Sequence, residues 1–366
     1  MSNNIVIFCE NYWVIPRTLY LVTQNYHDSQ VTVVISRSPD LFKFFQVINE
    51  RVFHNTINLV YLAPCDLQRA TAKGIIKKAF HVLPDIIRER RHLKGIFDKY
   101  FAEIEGCQIF FAARAFDGYL IYLLKKLSRK NSLVFIRTSR PDIPDMRKYT
   151  PTNIWDLAKL IILKLTYGYD TTIGKLDYYK GFLYMPDKFL EKVVDRFIDR
   201  LDMEEMMKGF DLSQFRIFDV GNYSVIYFDQ PVPESGHITD RDTYRRELTQ
   251  IFDIVSKYFP EKEIALKYSP NRDNDMTMIK AGDILPAFIP AEFLYSEKTK
   301  IYLGLFTAAL ANVEKGLAVS LLDLVSFDSD TTREQVRGLL MALRRSEILF
   351  PKSLTEFERI LIGLKE

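Results

Sequence analysis

Short apolar segments with the character of β-strands alternate with longer amphipathic segments along most of the chain. In the first third, each strand-like segment is followed by residues with helical spacing, as in WVIPRTLYLVTQNY after the first strand. Strands joined by helices run parallel, because the helix returns the chain to the starting edge of the sheet. The pattern predicts a doubly wound α/β domain with strands at residues 4–9, 31–36, 58–63, 107–113 and 132–138.

A second series of the same kind follows. Its segments read YSVIYFDQPVPESGH, EIALKYSPNR, AGDILPAFIPAEFLY, TKIYLGLFTAALANV and LAVSLLDLV. Between the two series, FLYMP (182–186) is predicted as the last strand of the first domain, and residues 187–210 have the spacing of an amphipathic helix. The predicted domains are therefore 1–186, a helical linker at 187–214, and 215–366.

Helix boundaries are indicated at three places. Ser38 precedes a proline and is predicted to cap the helix that follows, since proline suits a first helical turn. Thr239 and Asp242 are predicted to form a capping box for the helix after residue 239. The helical region 67–104 is expected to be divided at Gly74 and Pro84.

Charge is low overall but clustered. A formal net charge of +3 over 366 residues does not favour nucleic-acid binding, and no basic cluster is interleaved with regularly spaced aromatic residues. Basic residues cluster in RERRHLK (88–94), LKKLSRK (124–130) and the pair at 344–345. These clusters predict contact with an anionic membrane or a polyanionic acceptor. The alternative is that they are solvated helix faces.

Localisation and redox state follow from what the sequence lacks. No apolar run reaches the roughly 18 residues of a membrane-spanning helix, and the N-terminus does not resemble a secretory signal. A cytoplasmic protein is expected, with peripheral attachment to the inner face of the bacterial membrane as a further expectation. Three cysteines without a CxxC pair predict reduced thiols, with no disulfide framework and no zinc.

Five short motifs in the order in which they occur resemble a known family. They are NIVIFCENYW at the start, YFDQP at a strand end, a K-x-x-P strand end, PAEF, and the strand-turn-helix YLGLFTAAL. Together they resemble bacterial sialyltransferases of glycosyltransferase family 52 and the related capsule polysialyltransferases. The resemblance implies the GT-B fold, two Rossmann-like domains facing a cleft, with the acceptor on the N-terminal side and the nucleotide sugar on the C-terminal side.

The first motif that the resemblance maps is a strand end with one departure. The family's Lys-x-His-Pro stands here as Lys267-Tyr268-Ser269-Pro270. The resemblance implies that the histidine position meets the leaving phosphate of CMP, and Ser269 can donate a hydrogen bond there but cannot act as an acid near neutral pH. Lys267 or Arg272 could supply fixed positive charge instead. A purely structural strand end is the alternative.

Two further motifs are implied to hold the nucleotide. Glu292 of the Pro-Ala-Glu motif is expected to accept hydrogen bonds from the ribose hydroxyls, which suits an acceptor-only carboxylate. Gly304, Thr307 and Ala308 correspond to the family's phosphate-binding turn, where glycine permits a tight turn and a helix N-terminus favours phosphate. The alternatives are a structural cap at Glu292 and a close helix–sheet contact that requires small residues.

The general base is where the chain departs furthest from the family. The family's acidic pair followed by glycine is replaced by residues 137–139, which read RTS. Candidate carboxylates near the strand ends are Asp142, Asp145, Glu10 and Asp117. A base needs only hydrogen-bond reach and a suitable pKa, so any of these could replace the acidic pair. Each one could also be structural.

His237, in the turn PESGH, is the remaining candidate acid, because a histidine titrates near neutral pH. An ordinary surface histidine is the alternative. The remaining histidines have no partner at metal-ligating spacing, so metal-independent transfer is predicted, with no cofactor beyond the CMP-sugar donor.

The function implied is that of an inverting glycosyltransferase. Its donor would be a CMP-activated sialic acid, a related nonulosonic acid or Kdo, and its product a capsule or lipopolysaccharide glycan. Candidate partners are the donor, a lipid-linked or oligosaccharide acceptor, an anionic membrane and a second copy of the chain. The alternatives are a UDP- or GDP-sugar transferase of the same fold and a non-catalytic glycan-binding relative.

Overall fold

The chain divides into two compact units, residues 1–210 and 211–366. The computed structural model describes residues 4–10, 12–25, 29–36, 38–63, 75–112, 118–137, 199–230, 238, 240–269, 279–313, 315–344 and 346–365.

The first unit is built on a six-stranded parallel sheet. Its strand order is β3-β2-β1-β4-β5-β6, so the chain winds outward in both directions from the central pair β1 and β4. The strands are β1 (Ile5–Phe8), β2 (Val31–Ser36), β3 (Asn58–Leu62), β4 (Gln108–Phe111), β5 (Ser132–Arg137) and β6 (Asp199–Asp202). Five of the six strands predicted for this domain are confirmed, and the sixth lies outside the described residues.

Five helices of the first unit are described. They are α1 (Ile15–Tyr20), α2 (Pro39–Arg51), α3 (Ile75–Tyr100), α4 (Gly118–Leu127) and α5 (Met203–Met206). The predicted cap of α2 is confirmed, since the Leu41 N–H donates to Ser38 Oγ at 3.3 Å. One face of the sheet packs under α3 and α4 around Phe8, Phe111 and Leu93.

Two predictions for the first unit are wrong. α3 continues through Pro84, where a division was expected, because a helix of 26 residues can lose the hydrogen bond that proline removes and continue. Residues 199–202, expected in a linker helix, form β6, which pairs with β5. Without β6, the backbone N–H and C=O groups along the edge of β5 would be unpaired, and residues 199–202 supply their hydrogen-bond partners. The spacing of apolar residues within 199–202 does not reveal this pairing. FLYMP (182–186) lies outside the described residues.

The second unit repeats the topology of the first. Its order is β12-β11-β10-β7-β8-β9, all parallel, with β7 and β10 at the centre. The strands are β7 (Val225–Phe228), β8 (Ile264–Lys267), β9 (Asp283–Leu285), β10 (Ile301–Gly304), β11 (Leu317–Ser320) and β12 (Ile348–Leu349). Both sheets have the 3-2-1-4-5-6 order of a Rossmann fold. The predicted α/β class, with two doubly wound Rossmann-like units in one chain, is confirmed.

Four α-helices of the second unit are described: α6 (Arg241–Tyr258), α7 (Ala308–Ala311), α8 (Asp330–Leu343) and α9 (Leu354–Gly363). The predicted apolar face of α6, from Tyr244 to Phe259, is buried against the sheet. The predicted capping box is wrong. Asp240 caps α6 instead, because its carboxylate accepts from the N–H groups of Asp242 and Thr243, each at 3.1 Å. Among the described residues, no helix has the length and apolar character needed to cross a bilayer.

A partly buried ion network joins α8 to the loops beside it. The Asp323 side chain is 7% exposed, and its carboxylate accepts from Arg337 Nη2 and, at 2.8 Å, from Lys352 Nζ. Burial on its own would raise the pKa of Asp323, but the hydrogen bonds from Lys352 and Arg337 outweigh it, so the pKa lies below its usual value. The network holds α8 against the segments that follow β11 and β12.

We predict that Asp323→Asn lowers the free energy of unfolding by about 2 kcal/mol at neutral pH, because two cations lose a charged acceptor. A depressed carboxyl pKa contributes stability above the unfolded-state pKa, and that contribution is lost as the pH falls through the folded-state value. The deficit of the variant should therefore be constant above about pH 5 and narrow below about pH 4. Urea titrations across this range measure it.

Glu334→Gln is the matched control, because Glu334 is 66% exposed and pairs with the same arginine. Its effect should stay below about 0.5 kcal/mol. An equal loss in both variants, or a deficit that does not depend on pH, would contradict the role given to Asp323.

Candidate functional site

The topological switch point of the second unit is the crevice between the carboxyl ends of β7 and β10. The two strands are adjacent, with Phe228 opposite Gly304, and the chain leaves them toward opposite sides of the sheet. Open parallel sheets bind ligands at such a crevice. The candidate site is therefore formed by residues 229–230, 267–269, 290–296 and 304–308, which follow the ends of the central strands or flank them.

Residues after β7 form the floor of this crevice. Asp229 is 3% exposed, and its N–H donates to Lys267 O at 2.9 Å, which extends the pairing of β7 and β8. Gln230 Oε1 accepts from Phe306 N at 2.8 Å and so bridges the two sides of the switch point. Asp229 and Gln230 belong to the YFDQP motif that contributes to the family resemblance, but neither was predicted from the sequence to be a site residue. The signal available was their position directly after the first strand of the second domain.

The turn from β10 into α7 is packed tightly. A Cβ atom on Gly304 would lie 2.8 Å from Thr307 Cγ2, so a side chain there would collide with the threonine. Gly304 has no positive φ, so close approach is what requires glycine here. Of the two interpretations of this motif, the close contact is observed directly.

Thr307 is the N-cap of α7. Its Oγ1 accepts from Ala309 N at 3.2 Å, and Ala308 is exposed. Because Ala309 N and Phe306 N already donate within the protein, the turn offers fewer free N–H groups than expected. α7 has four residues, so its dipole is small. The Thr307 hydroxyl hydrogen is one donor that the turn can still offer to a ligand.

Glu292 lies in a 3-10 turn, Ala291–Phe293, and is half-buried. The segment that carries it is fixed to the β10–α7 turn, since Tyr295 Oη donates to Ala309 O at 2.6 Å. The Tyr302 hydroxyl accepts from Ser296 N at 2.6 Å and secures the far end of the same segment. The two motifs predicted to hold one nucleotide are thus joined directly.

Three aromatic rings support these turns. Phe228 stacks on Tyr302 with 6.0 Å between centroids and a 6° interplanar angle. Tyr295 meets Tyr302 edge-on at 5.5 Å. Rings in these arrangements have few alternative positions, so they hold the turns in place. Burial raises the pKa of Tyr302, which keeps its hydroxyl protonated and able to donate.

Lys267 ends β8 and is 5% exposed. Its Nζ donates to Tyr268 O at 2.6 Å and to Ala287 O at 2.9 Å, so the ammonium joins the end of β8 to the segment after β9. Ser269, two residues further on, is half-buried. The lysine therefore stabilises the rim of the crevice through backbone carbonyls.

In the first unit, Glu10 lies two residues beyond β1, at the switch point between β1 and β4. It is half-buried. The neighbouring Cys9 is fully buried, and burial, with a smaller contribution from the negative charge of Glu10, raises the pKa of its thiol to about 12. Cys9 is therefore an inert core thiol, whereas Glu10 lies beyond the carboxyl end of β1, at the edge where open parallel sheets bind ligands.

The other candidates, Asp117, Asp142, Asp145, His237 and Arg272, lie outside the described residues. Within the described part of the chain, no three His, Cys, Asp or Glu side chains are grouped closely enough to hold a metal ion. Metal-independent chemistry stays a prediction.

Comparison with known proteins gives structural matches. The chain matches no protein-family model and no curated protein sequence. It is similar to the calicheamicin glycosyltransferase CalG4 (10% identity, TM-score 0.46) and to Arabidopsis thaliana UGT89C1 complexed with UDP-L-rhamnose (10%, 0.46), covering 100% of this chain and 90% of each structure. It is also similar to the UDP-N-acetylglucosamine 2-epimerase of Rickettsia bellii (9%, 0.41; 100% and 96%). Because these scores are below 0.5, the fold class rests on the strand orders of this chain.

We predict that Gly304→Ala lowers the free energy of unfolding by about 1–3 kcal/mol, because the new methyl group must displace a threonine that is held by its cap. Gly338→Ala is the control. Gly338 lies within α8, a Cβ there meets nothing within 4 Å, and alanine should stabilise the helix by up to about 1 kcal/mol. Thermal unfolding measures the change in stability of both variants. If both were stabilised or both destabilised, the prediction would be contradicted.

Proposed function

We propose that the chain is a glycosyltransferase whose second unit binds the nucleotide of an activated sugar at the β7–β10 switch point. The observation that carries the proposal is the link between the Glu292 segment and the β10–α7 turn through Tyr295 and Ala309. In this proposal, the link brings the Glu292 carboxylate and the Thr307 hydroxyl to the same crevice. A nucleotide needs both, since its ribose donates hydrogen bonds and its phosphate accepts them.

Within this proposal Glu292 accepts hydrogen bonds from the ribose hydroxyls, and Thr307 donates to the phosphate. Lys267 acts through its charge, because its Nζ donates to two backbone carbonyls and its positive charge still contributes to the local potential. Ser269 can donate a further hydrogen bond to the phosphate. Arg272 and His237 are the remaining candidates for neutralising its charge.

The donor proposed is a CMP-activated sialic acid or a related sugar, in line with the resemblance of the strand-end motifs to family 52 transferases. The acceptor proposed is a capsule or lipopolysaccharide glycan. A carboxylate of the first unit removes the proton from the acceptor hydroxyl, whose oxygen attacks the anomeric carbon. The bond from that carbon to the phosphate oxygen breaks, and CMP leaves with the electron pair. A single displacement of this kind inverts the anomeric configuration.

Glu10 is the proposed base, because it lies at the switch point of the first sheet and a half-buried carboxylate can both reach a substrate and retain basicity. Asp142 and Asp145 are the alternatives. Positioning of the two substrates and fixed positive charge at the phosphate would provide most of the rate enhancement.

We predict that CMP raises the melting temperature of the protein, whereas UMP and GMP at equal concentration do not. A ligand at 100 times its dissociation constant adds about 2.7 kcal/mol to the stability of the folded state, which is several degrees for a unit of this size. Glu292→Gln should weaken CMP binding about 10-fold or more, because one acceptor oxygen is replaced by a donor.

Glu297→Gln is the control for this experiment, since Glu297 is an exposed residue of the same segment that pairs with Lys315 on the surface. A rise in melting temperature with UMP or GMP would indicate a UDP- or GDP-sugar donor in place of a CMP-sugar. No rise with any of the three nucleotides would favour the non-catalytic glycan-binding alternative. If Glu292→Gln bound CMP as tightly as the wild type does, Glu292 would not be a nucleotide-binding residue.

We predict that Glu10→Gln slows the release of CMP from CMP-N-acetylneuraminic acid by about 100-fold or more, since the amide cannot accept a proton from the attacking hydroxyl or water. CMP binding should persist, because a base acts on the nucleophile and not on the nucleotide. Glu50→Gln, an exposed change on α2, is the control. Undiminished hydrolysis by Glu10→Gln would transfer the role of base to Asp142 or Asp145.

A further inference from the structure

The part of α3 from residue 87 to 99 presents a basic stripe to solvent. Arg90, Arg91 and Lys94 are exposed, and none of them lies within 4.0 Å of a carboxylate among the described residues. Residues 87–99 and 118–130 together hold nine basic and two acidic residues, whereas the whole chain has a net charge of +3. The rest of the chain is therefore slightly acidic, and the positive charge is concentrated on α3 and the end of α4.

An exposed apolar side chain lies within the same stripe. Ile87 is 46% exposed, and Ile87, Arg90, Arg91 and Lys94 occupy positions i, i+3, i+4 and i+7, which share one face of a helix. The opposite face, including Leu93, is buried in the core of the first unit. The stripe thus has a defined direction, outward from the fold, and combines a branched apolar group with three cations.

The end of α4 widens this surface. Lys126 Nζ lies 5.4 Å from the Phe97 ring centroid and 5.8 Å from that of Tyr122, so its charge sits over the seam between α3 and α4. Lys99 similarly lies 4.7 Å from the ring of Tyr100. Cations held over half-buried rings stay at the surface in fixed positions, which favours an extended anionic partner over a single small anion.

We propose that this basic stripe, Ile87, Arg90, Arg91 and Lys94 with Lys126 beside it, binds the anionic headgroups of a phospholipid bilayer, with α3 lying along the membrane surface. Each cation near such a surface contributes to binding, and Ile87 enters the boundary between headgroups and acyl chains. Residues 87–99 of a helix extend about 20 Å, enough to contact several headgroups at once. This role is independent of the proposed reaction.

A bilayer fits the stripe better than a nucleic acid or another dissolved polyanion. Those partners would bind the cations, but they offer no apolar phase to the isoleucine at the start of the stripe. A bilayer interface can bind the cations and the isoleucine together, because neutralising charge and burying apolar area are additive contributions to binding there. The isoleucine is therefore the residue that separates the two kinds of partner.

The test is cosedimentation of the full chain with phosphatidylcholine vesicles, with and without phosphatidylglycerol. We expect binding to the mixed vesicles, loss of binding at high salt, and about 100-fold weaker binding by the triple variant Arg90→Gln, Arg91→Gln, Lys94→Gln. The triple variant Lys262→Gln, Lys298→Gln, Arg359→Gln removes the same charge from exposed sites of the second unit and should bind as the wild type does. Unchanged melting temperatures would show that both variants are folded.

Ile87→Ser tests the apolar contribution. It should weaken vesicle binding several-fold and leave retention on a heparin column unchanged. Equal vesicle binding by the wild type and the α3 triple variant, or no preference for phosphatidylglycerol, would overturn the proposal. Retention on heparin through α3 without vesicle binding would assign the stripe to a dissolved polyanion. Nucleotide-induced melting shifts remain a separate readout, so failure here leaves the proposed reaction unaffected.

Discussion

The pairing of β7 with β10 is the constraint on which the second unit depends. All four residues of each strand are buried, so the two strands cannot separate without exposing the centre of the core. Their register places Phe228 opposite Gly304, and the chain segments that follow must therefore diverge from one point. The backbone hydrogen bond that extends the sheet at Asp229 and the bridge from Gln230 to Phe306 both follow from that arrangement.

Close approach at this point explains the residue types around it. Gly304 leaves room for the Thr307 methyl group, and Tyr295 fills the space beside the stacked pair of Phe228 and Tyr302. A rigid aromatic support is what a binding crevice requires, because polar groups on rigid supports bind a ligand without first being ordered. The N–H groups of Phe306 and Ala309 donate hydrogen bonds within this packing, so they are not available to a ligand at this edge.

Local periodicity was sufficient to predict much of the fold and the edge of the sheet at which the candidate site lies. The strand segments, the buried face of α6 and the Ser38 cap depend on neighbours within a few residues, and they were predicted from the sequence. Alternation of strands and helices also located the site, because it implies parallel strands whose carboxyl ends share one edge. The sequence thereby predicted that the motifs around Glu292 and Gly304 lie at that edge.

What the sequence by itself determined is thus the two doubly wound units and the edge of each sheet at which a ligand would bind. Tertiary structure alone decided that residues 199–202 form a strand, that Lys267 donates to Ala287 O, and that Gln230 bridges the switch point. The physical reason is the same in all three cases. Each outcome depends on a hydrogen-bond partner that is distant in the chain, and a side chain's own sequence context does not specify which distant acceptor or donor will lie within its reach.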